Sequence, residues 1–390
     1  MEQVLSQLPD EWKYQKLKTL IKMHYGKALK AVDRIQGDVP VYGSNGVVGS
    51  HNEHLWSQPT VVIGRKGSVG EANLALTPSW TIDTAYYIEI IDQEVLDLMY
   101  FYHFADRFDV SSISQKGVKP GINRNDYLNL SFPLPPLNEQ KRIVEKLDAL
   151  LSRIDTAIEH LQESVTLADA LYASELNEVF PSDADIESLS DKAGWVSLSD
   201  ICTFENGDRG KNYPSKSAFV AEGIPVVSAG NLGERYIDHK GLNYITPERY
   251  ELLRSGRIRM GDILFCLRGS LGKVAISKDI NEGVIASSLV IIRPKDQVSA
   301  KYIYKYLKSS LCQKFISYYN NGAAQPNLSA KSLGKFMLPL PNADQQKVIV
   351  DALDEKYQLN QKLLDGLNSK IISLQSLKAS ILDSAFKGEL

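Results

Sequence analysis

Two short turns place a positively charged side chain close to a glycine and a serine, directly after an apolar run. They lie at residues 65–70 and 267–273. Such a turn can hold a phosphate, because backbone N–H groups and a hydroxyl donate hydrogen bonds while the cation supplies charge. The alternative is a tight hairpin in which the glycines only provide a positive φ. The candidate phosphate-binding residues are Lys66, Ser68, Arg268, Ser270 and Lys273.

A second pair of loops carries side chains suited to contact with nucleic-acid bases. The loops span residues 115–124 and 320–327. Arginine and lysine donate hydrogen bonds to guanine edges, whereas asparagine and glutamine pair with adenine edges. The candidate base-contacting residues are Lys119, Asn123, Arg124, Gln325 and Asn327.

The catalytic and cofactor motifs that this chain approaches do not match. Residues 269–273 read Gly-Ser-Leu-Gly-Lys, but a nucleotide-binding phosphate loop needs glycine where Leu267 stands and Ser or Thr where Val274 stands. His51 and His54 have no Cys or further His near them in sequence, so we predict surface histidines and not metal ligands. The sequence therefore predicts a binding protein without cofactor or metal, and not an enzyme.

Short β-type runs and one helix position these loops in each half of the chain. In the first half the runs lie at residues 39–42, 60–63 and 86–90, with a helix near 92–108. In the second half they lie at residues 224–227, 262–267 and 285–292, with a helix near 299–319. Apolar runs bounded by Gly, Asn and Ser are typical of strands. Both halves are therefore predicted to be α+β domains.

The two halves are copies of one domain followed by one helix, 206 residues apart. Residues 133–144 and 339–350 are identical at seven of twelve positions, including the Pro-Leu-Pro that opens each window. The absence of Gly and Pro between Leu137 and Phe180 predicts a single helix of about 44 residues. The spacing is too long for a solenoid, whose period is roughly 20 to 50 residues, so the sequence predicts a duplicated domain-plus-helix.

Each long helix carries an apolar seam with steps of three and four residues. The first seam consists of Val144, Leu147, Leu151, Ile154, Ile158, Leu161, Val165 and Ala168, and the second of Val350, Leu353, Tyr357, Asn360, Leu364, Leu367, Ile371 and Leu374. This heptad pattern predicts that the helices pair as an antiparallel intramolecular coiled coil whose register Asn360 fixes. The alternative is two ordinary amphipathic helices that each lie on their own domain.

These patterns divide the chain into five segments: an α+β domain at 1–135, a central helix at 136–181, a linker at 182–194, an α+β domain at 195–341 and a C-terminal helix at 342–390. Charge is segregated among them. Residues 136–194 carry a net charge of −8 and residues 195–341 one of +8, within a chain of net charge −3. The basic domain is compatible with a polyanionic partner, and a merely solvated face explains the charge equally well.

Cysteine usage and hydropathy indicate where the chain works. Cys202, Cys266 and Cys312 have no short spacing and cannot all pair within the chain, which favours a reducing compartment and predicts a cytoplasmic protein. No apolar run approaches the roughly 20 residues of a membrane helix, so no membrane association is expected.

The doubled Pro-Leu-Pro, Gln-Lys and Ile-Val pattern resembles the specificity subunit of Type I restriction-modification systems. The closing residues 380–390 resemble the typical C-terminus of that family, and the likeness covers the whole chain. The Pro-Leu-x-Glu of the family stands at 136–139, whereas the second copy departs from it at 342–345, which read Asn-Ala-Asp-Gln.

The resemblance implies that each α+β domain is a target recognition domain reading one half of a bipartite double-stranded DNA sequence through the loop residues named above. It implies that the long helices form a spacer that docks two methyltransferase subunits, with restriction and translocation subunits joining through the complex. The helix starts would supply the subunit contacts, at Glu139, Gln140, Lys141, Gln345, Gln346 and Lys347. Methylation and cleavage would belong to the partner chains. The alternative function is a coiled-coil scaffold with protein-binding α+β domains.

Overall fold

The computed structural model describes residues 8–115, 121–183, 185–209, 213–320 and 327–390. Lys119 and Gln325, two of the predicted base contacts, lie outside these ranges. The chain divides into two compact units, one formed by Met1–Glu163 with Leu367–Leu390 and the other by Ser164–Gly366. Each unit contains one α+β domain and parts of both long helices.

The described residues of the first unit form a four-stranded sheet, a three-stranded sheet and two two-stranded sheets, with helices packed against them. The described strands are β1 (Lys13–Lys16), β2 (Ile21–Tyr25), β3 (Val39–Gly43), β4 (Gly46–His51), β5 (Thr60–Gly64), β6 (Ala72–Ala75), β7 (Trp80–Thr81), β8 (Ala85–Ile90), β9 (Ser114–Gln115), β10 (Gly121–Ile122) and β11 (Ser131–Leu134). The described α-helices are α1 (Leu98–Arg107), α2 (Arg124–Leu128), the start of α3 (Leu137–Val179) and the end of the second long helix.

Strand order in the first unit explains why some strands are apolar along their whole length. An antiparallel sheet has the order β2-β8-β5-β6, and a second sheet has the order β4-β3-β7 with β3 and β7 parallel. Every residue of the central strand β5 is buried. Such a strand needs apolar residues at successive positions, because both of its faces are covered. The helix α1 packs against β5 and β6 and buries Tyr100 and Phe104, each of which stabilises the fold by roughly 2 kcal/mol.

The second unit has the same plan. Its described strands are β12 (Trp195–Ser197), β13 (Cys202–Asn206), β14 (Ile224–Val227), β15 (Asn243–Ile245), β16 (Arg257–Ile258), β17 (Ile263–Cys266), β18 (Val274–Ile276), β19 (Gly283–Ile285), β20 (Leu289–Pro294) and β21 (Met337–Pro339). Its described α-helices are the end of α3, α4 (Leu198–Ile201), α5 (Pro247–Glu251), α6 (Ala300–Leu307), α7 (Ser310–Tyr319), α8 (Ala330–Gly334) and the start of α9 (Ala343–Lys387).

The two four-stranded sheets of the second unit have the orders β13-β20-β17-β18 and β15-β14-β19-β16, and β12 pairs with β21. The first matches β2-β8-β5-β6 strand for strand, which confirms the α+β class for both copies. Two predicted boundaries were wrong. The predicted strand at 285–292 is split into β19 and β20, because these belong to different sheets. The predicted helix at 299–319 is split into α6 and α7, because Ser309 caps the second helix through its side chain.

Both long helices are confirmed, with 43 residues in α3 and 45 in α9. All residues of the two predicted seams are buried or half-buried. In the first unit Lys146 Nζ donates to the Leu390 carbonyl at 2.7 Å, and Lys378 Nζ donates to the Asp155 carboxylate at 2.8 Å. Residue numbers therefore rise along one helix as they fall along the other. These contacts support the predicted antiparallel pairing, while its coiled-coil character stays a prediction.

Among the described residues, none of the helices combines the length and the apolar character that a bilayer crossing requires.

Candidate nucleic-acid interface

In the first unit the structure brings the two predicted loops together. Lys66 forms a β-bridge with Gly121, and the Ile122 amide donates to the Arg65 carbonyl at 3.2 Å. The glycine-serine turn after β5 is therefore joined to the loop that leads into α2. Asn123 caps α2, because its side chain accepts from the Asn125 amide at 2.8 Å.

The second unit joins its two loops in the same way. Arg268 forms a β-bridge with Asn327, and the Leu328 amide donates to the Leu267 carbonyl at 3.0 Å. The two side chains also meet directly, since Arg268 Nε donates to Asn327 Oδ1 at 3.1 Å. This bond orients the guanidinium and leaves its terminal N–H groups available for an acceptor.

The turns need their glycines for backbone reasons. Gly67 and Gly70 have φ of +83°, while Gly269 and Gly272 have φ of +75° and +85°. This left-handed region disfavours residues with a Cβ. The positive φ predicted by the hairpin alternative is therefore confirmed for these glycines, and phosphate binding at the turns stays a prediction.

The predicted contact residues differ in exposure. Lys66, Asn123, Arg268, Ser270, Lys273 and Asn327 are exposed, whereas Ser68 and Arg124 are half-buried. Lys273 is held against its own unit, because its Nζ donates to the Ala229 carbonyl at 3.2 Å. Most of these side chains can therefore reach a ligand at the surface.

Sequence reasoning missed several residues that lie beside the predicted ones. In the second unit a cleft of about 450 Å³ adjoins Arg268 and Asn327, and Asn206, Arg209 and Lys331 also line it. In the first unit the guanidinium carbons of two arginines lie close to the Tyr25 ring, with Arg65 at 5.0 Å and Arg124 at 5.3 Å.

Local sequence gave little signal for these residues. Arg65 precedes Lys66 in the turn and was within reach of the same argument. Tyr25 and Asn206 end edge strands far away in sequence, and no local pattern connects them to the loops.

A second tyrosine, Tyr86, packs against Tyr25 and is held by a hydrogen bond. The Tyr86 hydroxyl donates to the Ile122 carbonyl at 3.2 Å, and its ring lies 5.1 Å from that of Tyr25. The pKa of Tyr86 is raised to about 12, mainly by burial and also by Tyr25, while Arg65 and Arg124 act in the opposite direction. The Tyr86 phenol therefore stays protonated near neutral pH, and Arg65 lies close to a neutral ring.

Two of the predicted subunit contacts are corrected by the structure. Gln140 and Gln346 are 0% and 2% exposed, which leaves them no surface for a partner. Gln140 Nε2 donates to the Val95 and Pro135 carbonyls at 2.8 and 2.9 Å, while its Oε1 accepts from the Asp97 amide at 2.8 Å.

Gln346 repeats this pattern in the second unit. Its Nε2 donates to the Gln297 and Pro341 carbonyls at 3.4 and 2.9 Å, and its Oε1 accepts from the Ser299 amide at 2.9 Å. Each glutamine therefore fastens the start of a long helix to the N-terminus of the domain helix α1 or α6. We name this arrangement the glutamine clasp.

The other predicted subunit contacts lie at the surface. Lys141, Gln345 and Lys347 are exposed. Glu139 accepts two hydrogen bonds from Arg142 at 2.8 Å, and these bonds lower the pKa of its carboxyl. The departure at 342–345 in the second copy forms a helix cap, since Gln345 Oε1 accepts from the Asn342 amide at 3.2 Å and Asn342 Oδ1 accepts from the Gln345 amide at 2.9 Å.

The histidines considered for a metal site have other roles. His51 is 5% exposed, so its prediction as a surface residue was wrong; its Nδ1 accepts from the Ile35 amide at 3.0 Å, and its ring packs edge-on against Trp80. His54 is exposed. Within the described ranges, no group of three or more His, Cys, Asp or Glu is arranged to hold a metal ion.

Comparison with known proteins identifies the family. The model of the Type I restriction modification DNA specificity domain matches residues 9–167 and 192–371, once for each copy of the duplication. The chain is 23% identical to the specificity subunit of the Type I restriction enzyme EcoBI of Escherichia coli, over 92% of this chain and 78% of the relative. It is also 23% identical to the MjaVIII specificity subunit of Methanocaldococcus jannaschii, over 94% of this chain and 92% of the relative.

Solved structures show the same fold. A chain from a study of complex assembly and conformational transition of the type I R-M system matches with a TM-score of 0.77 at 20% identity, over 98% of this chain and 100% of that chain. The HsdS subunit from Thermoanaerobacter tengcongensis matches with a TM-score of 0.56 at 22% identity, over 98% of both chains. The protein described here therefore belongs to the Type I restriction-modification DNA specificity family, as a sequence-specificity subunit.

Proposed function

We propose that the two α+β domains each read one half of a bipartite double-stranded DNA target. The observation that carries this proposal is that each unit joins its glycine-serine turn to its second loop through the same β-bridge, with exposed cations and amides at the junction. Phosphate contacts from Lys66, Ser68, Ser270 and Lys273 would fix the position of each domain on the duplex. Base contacts from Asn123, Arg124, Arg268 and Asn327 would supply specificity.

Two recognition domains on one chain bind the whole DNA target more tightly than one domain binds its half-site. Once one half-site is bound, the second domain searches at a high effective concentration, so binding of the whole target exceeds that of either half. A rigid spacer between the domains would restrict this gain to targets with one spacing. The two long helices supply elements of the required stiffness.

The helix starts are the proposed docking sites for two methyltransferase subunits, through Glu139, Lys141, Gln345 and Lys347. Restriction and translocation subunits would join through that complex, and the partner chains would carry out methylation and cleavage. The work would take place in the cytoplasm, consistent with three buried cysteines that form no disulfide.

Two measurements test the proposal. Binding of the purified chain to duplex DNA should weaken steeply with salt, because cation-phosphate contacts release counterions. Methylation mapping with the methyltransferase subunits present should yield one target with two specific parts separated by an unspecified spacer of fixed length. A salt-independent affinity, or methylation without sequence preference, would favour the protein-binding scaffold.

A further inference from the structure

The two units share one backbone frame but differ at three positions of the interface. Arg65 and Leu267 occupy equivalent positions, because their backbone amides donate equivalent hydrogen bonds. Arg65 N donates to the Thr84 carbonyl at 2.9 Å, and Leu267 N donates to the Ser288 carbonyl at 2.8 Å. Their carbonyls in turn accept from the Ile122 and Leu328 amides. The frame thus places an arginine in one unit where the other has a leucine.

Tyr25 and Asn206 form a second matched pair. Each is the last residue of its edge strand, β2 or β13, and each precedes a glycine that packs tightly on backbone. A Cβ on Gly26 would lie 2.0 Å from the Ile82 carbonyl oxygen, and one on Gly207 would lie 2.8 Å from that of Ala286.

Arg124 and Ala330 form the third pair. Each is the first residue of a five-residue helix, α2 or α8, whose preceding residue caps the helix with its side chain. In the second unit Leu267, Asn206 and Ala330 all border the open cleft of about 450 Å³. In the first unit the corresponding positions carry two guanidinium groups and an aromatic ring.

Among the described residues, neither Arg65 nor Arg124 forms an ion pair with a carboxylate. Arg65 Nη1 donates to the Asp83 carbonyl at 3.1 Å, and its guanidinium carbon lies 5.0 Å from the Tyr25 ring centre and 5.8 Å from that of Tyr86. Arg124 Nε is buried and has no hydrogen-bond partner among the described residues, while its guanidinium carbon lies 5.3 Å from the Tyr25 ring centre.

Tyr25 can therefore position both guanidinium groups. Tyr25 is 51% exposed, and Arg65 and Arg124 lie half-buried beside its ring. An aromatic ring attracts a guanidinium through its quadrupole and restricts its motion. A planar fork with restricted motion loses less entropy when it forms two parallel hydrogen bonds. Guanine N7 and O6 present the acceptor pair that suits this fork, and arginine-guanine is the commonest specific contact in the major groove.

We propose that Arg65 and Arg124 read guanine in the half-site bound by the first unit, and that Tyr25 is the positioning residue for both. This inference rests on the proposed function and adds a base preference to it. It applies to one half of the target only, because the second unit has neither the ring nor these two arginines in its frame. The other acceptor that suits a guanidinium is a phosphate oxygen, which carries no sequence information.

The test uses the full-length chain assembled with its methyltransferase subunits and a duplex library with both half-sites randomised. The variants are Arg65→Lys, Arg124→Lys and Tyr25→Leu, with methylation read by sequencing. Lysine keeps the charge but not the fork. We expect each variant to lower the preference for guanine at one or two positions of one half-site by roughly 5- to 150-fold. The base preferences of the other half-site should not change.

Matched variants separate positioning from folding. Tyr25→Phe keeps the ring and should restore the guanine preference that Tyr25→Leu loses. Asn206→Leu alters the corresponding position of the second unit and should leave the guanine preference of the first half-site intact. Thermal unfolding of each variant identifies any that fails to fold, and the two arginine variants then decide the question without Tyr25→Leu.

The outcomes distinguish guanine recognition by the two arginines from the proposed recognition of a bipartite DNA target. If the unaltered complex methylates no bipartite target, the proposed function fails. If it does, and the variants weaken binding equally for all sequences while the log-log salt slope falls by about one, the arginines bind phosphate and the inference is overturned. An unchanged profile in both arginine variants, or a half-site without guanine, also overturns it.

Discussion

Individual side chains in this protein are constrained by what already holds them. Arg268 is tied to Asn327, and Lys273 is tied to a backbone carbonyl, whereas Arg65 and Arg124 lie beside a ring. A hydrogen-bonded or stacked cation presents its remaining donors in one direction. Each of these residues therefore has a distinct expected effect on DNA binding.

Substitution of Arg268 or Lys66 should weaken binding at separate half-sites. If either residue touches a base, Arg268→Ala or Lys66→Ala should relax specificity at one position at a cost of about 1–3 kcal/mol. If it touches phosphate, binding should weaken evenly across sequences. Fluorescence anisotropy with duplexes altered in one half-site at a time measures both effects. Unchanged affinity in both variants would show that the turns have only a structural role.

A buried ion cluster in the second unit should control its stability. Arg235 Nη2 and Lys305 Nζ contact the Asp354 carboxylate at 2.7 and 2.8 Å, and Lys305 is only 2% exposed. Asp354→Asn should destabilise the unit by roughly 3 kcal/mol, because it leaves a buried cation without its counterion. Urea unfolding provides the measurement.

The first unit offers a control for this variant. Asp148 stands at the equivalent helix position and contacts His103 at 2.9 Å, but its side chain is 53% exposed. Asp148→Asn should therefore cost much less. Equal losses in the two variants would contradict the role given to burial.

The same cluster predicts how stability depends on pH. Burial alone would raise the pKa of Asp354, but the hydrogen bonds from Arg235 and Lys305 outweigh it and hold the pKa below its ordinary value of 3.8. A carboxyl with a lowered folded-state pKa stabilises the fold above its unfolded-state pKa and loses that contribution as pH falls through the folded-state pKa. The unfolding free energy of the second unit should thus decrease below about pH 4, and Asp354→Asn should flatten that decrease.

At the scale of elements, the glutamine clasp explains how each domain holds its long helix. The clasp satisfies an N-terminal amide of a domain helix and two carbonyls with one buried side chain. Buried polar groups left without partners are costly, so the clasp holds the start of the long helix against the domain.

Gln140→Ala should destabilise the first unit by about 1–3 kcal/mol, because it removes a hydrogen-bond partner from one buried and two partly buried backbone groups. The neighbouring Lys141→Ala is the matched control, since Lys141 is exposed and should change stability by less than about 0.5 kcal/mol. Chemical unfolding of both variants tests this. If Lys141→Ala were the more damaging variant, the clasp would not be the fastening element.

At the scale of the whole molecule, the duplication extends to the ends of the long helices. Phe386 packs in the core of the first unit, with its ring 5.0 Å from Tyr100 and 5.7 Å from Phe104. Phe180, which is 206 residues earlier, packs in the core of the second unit with its ring 5.2 Å from Tyr302 and 5.6 Å from Tyr306. The two phenylalanines therefore pack at equivalent positions in the cores of the two units.

A fragment of residues 1–181 should therefore form a homodimer. The fragment lacks Phe386, and it exposes the apolar seam of α3. Phe180 of a second copy can take the position of Phe386 in the core of the first unit. With methyltransferase subunits, the dimer should direct methylation to a palindrome made from the first half-site and its inverted copy. Light scattering and methylation mapping measure the two effects. The matched variant Phe180→Ala should weaken the dimer, and a stable monomer of the unaltered fragment would contradict the prediction.

The sequence alone determined the repeat, the α+β class of both copies and the two long helices. These features follow from local information: a seam with steps of three and four residues, a stretch without Gly or Pro, and short apolar runs between turns. The predicted runs became the strands β3, β5 and β8 in the first unit and β14 and β17 in the second. Local backbone preference and burial of one face act over a few residues, so a sequence pattern is enough to reveal them.

Only the tertiary structure decided which of these residues meet. It placed Tyr25 beside Arg65 and Arg124, which lie 40 and 99 residues further along the chain. It also turned Gln140 and Gln346 from apparent surface residues into buried clasps, and it divided one predicted helix and one predicted strand. Such contacts depend on strand order and on the path of loops between sheets. No local pattern encodes them, because the free energy of a contact between distant residues is realised only once the whole unit has packed.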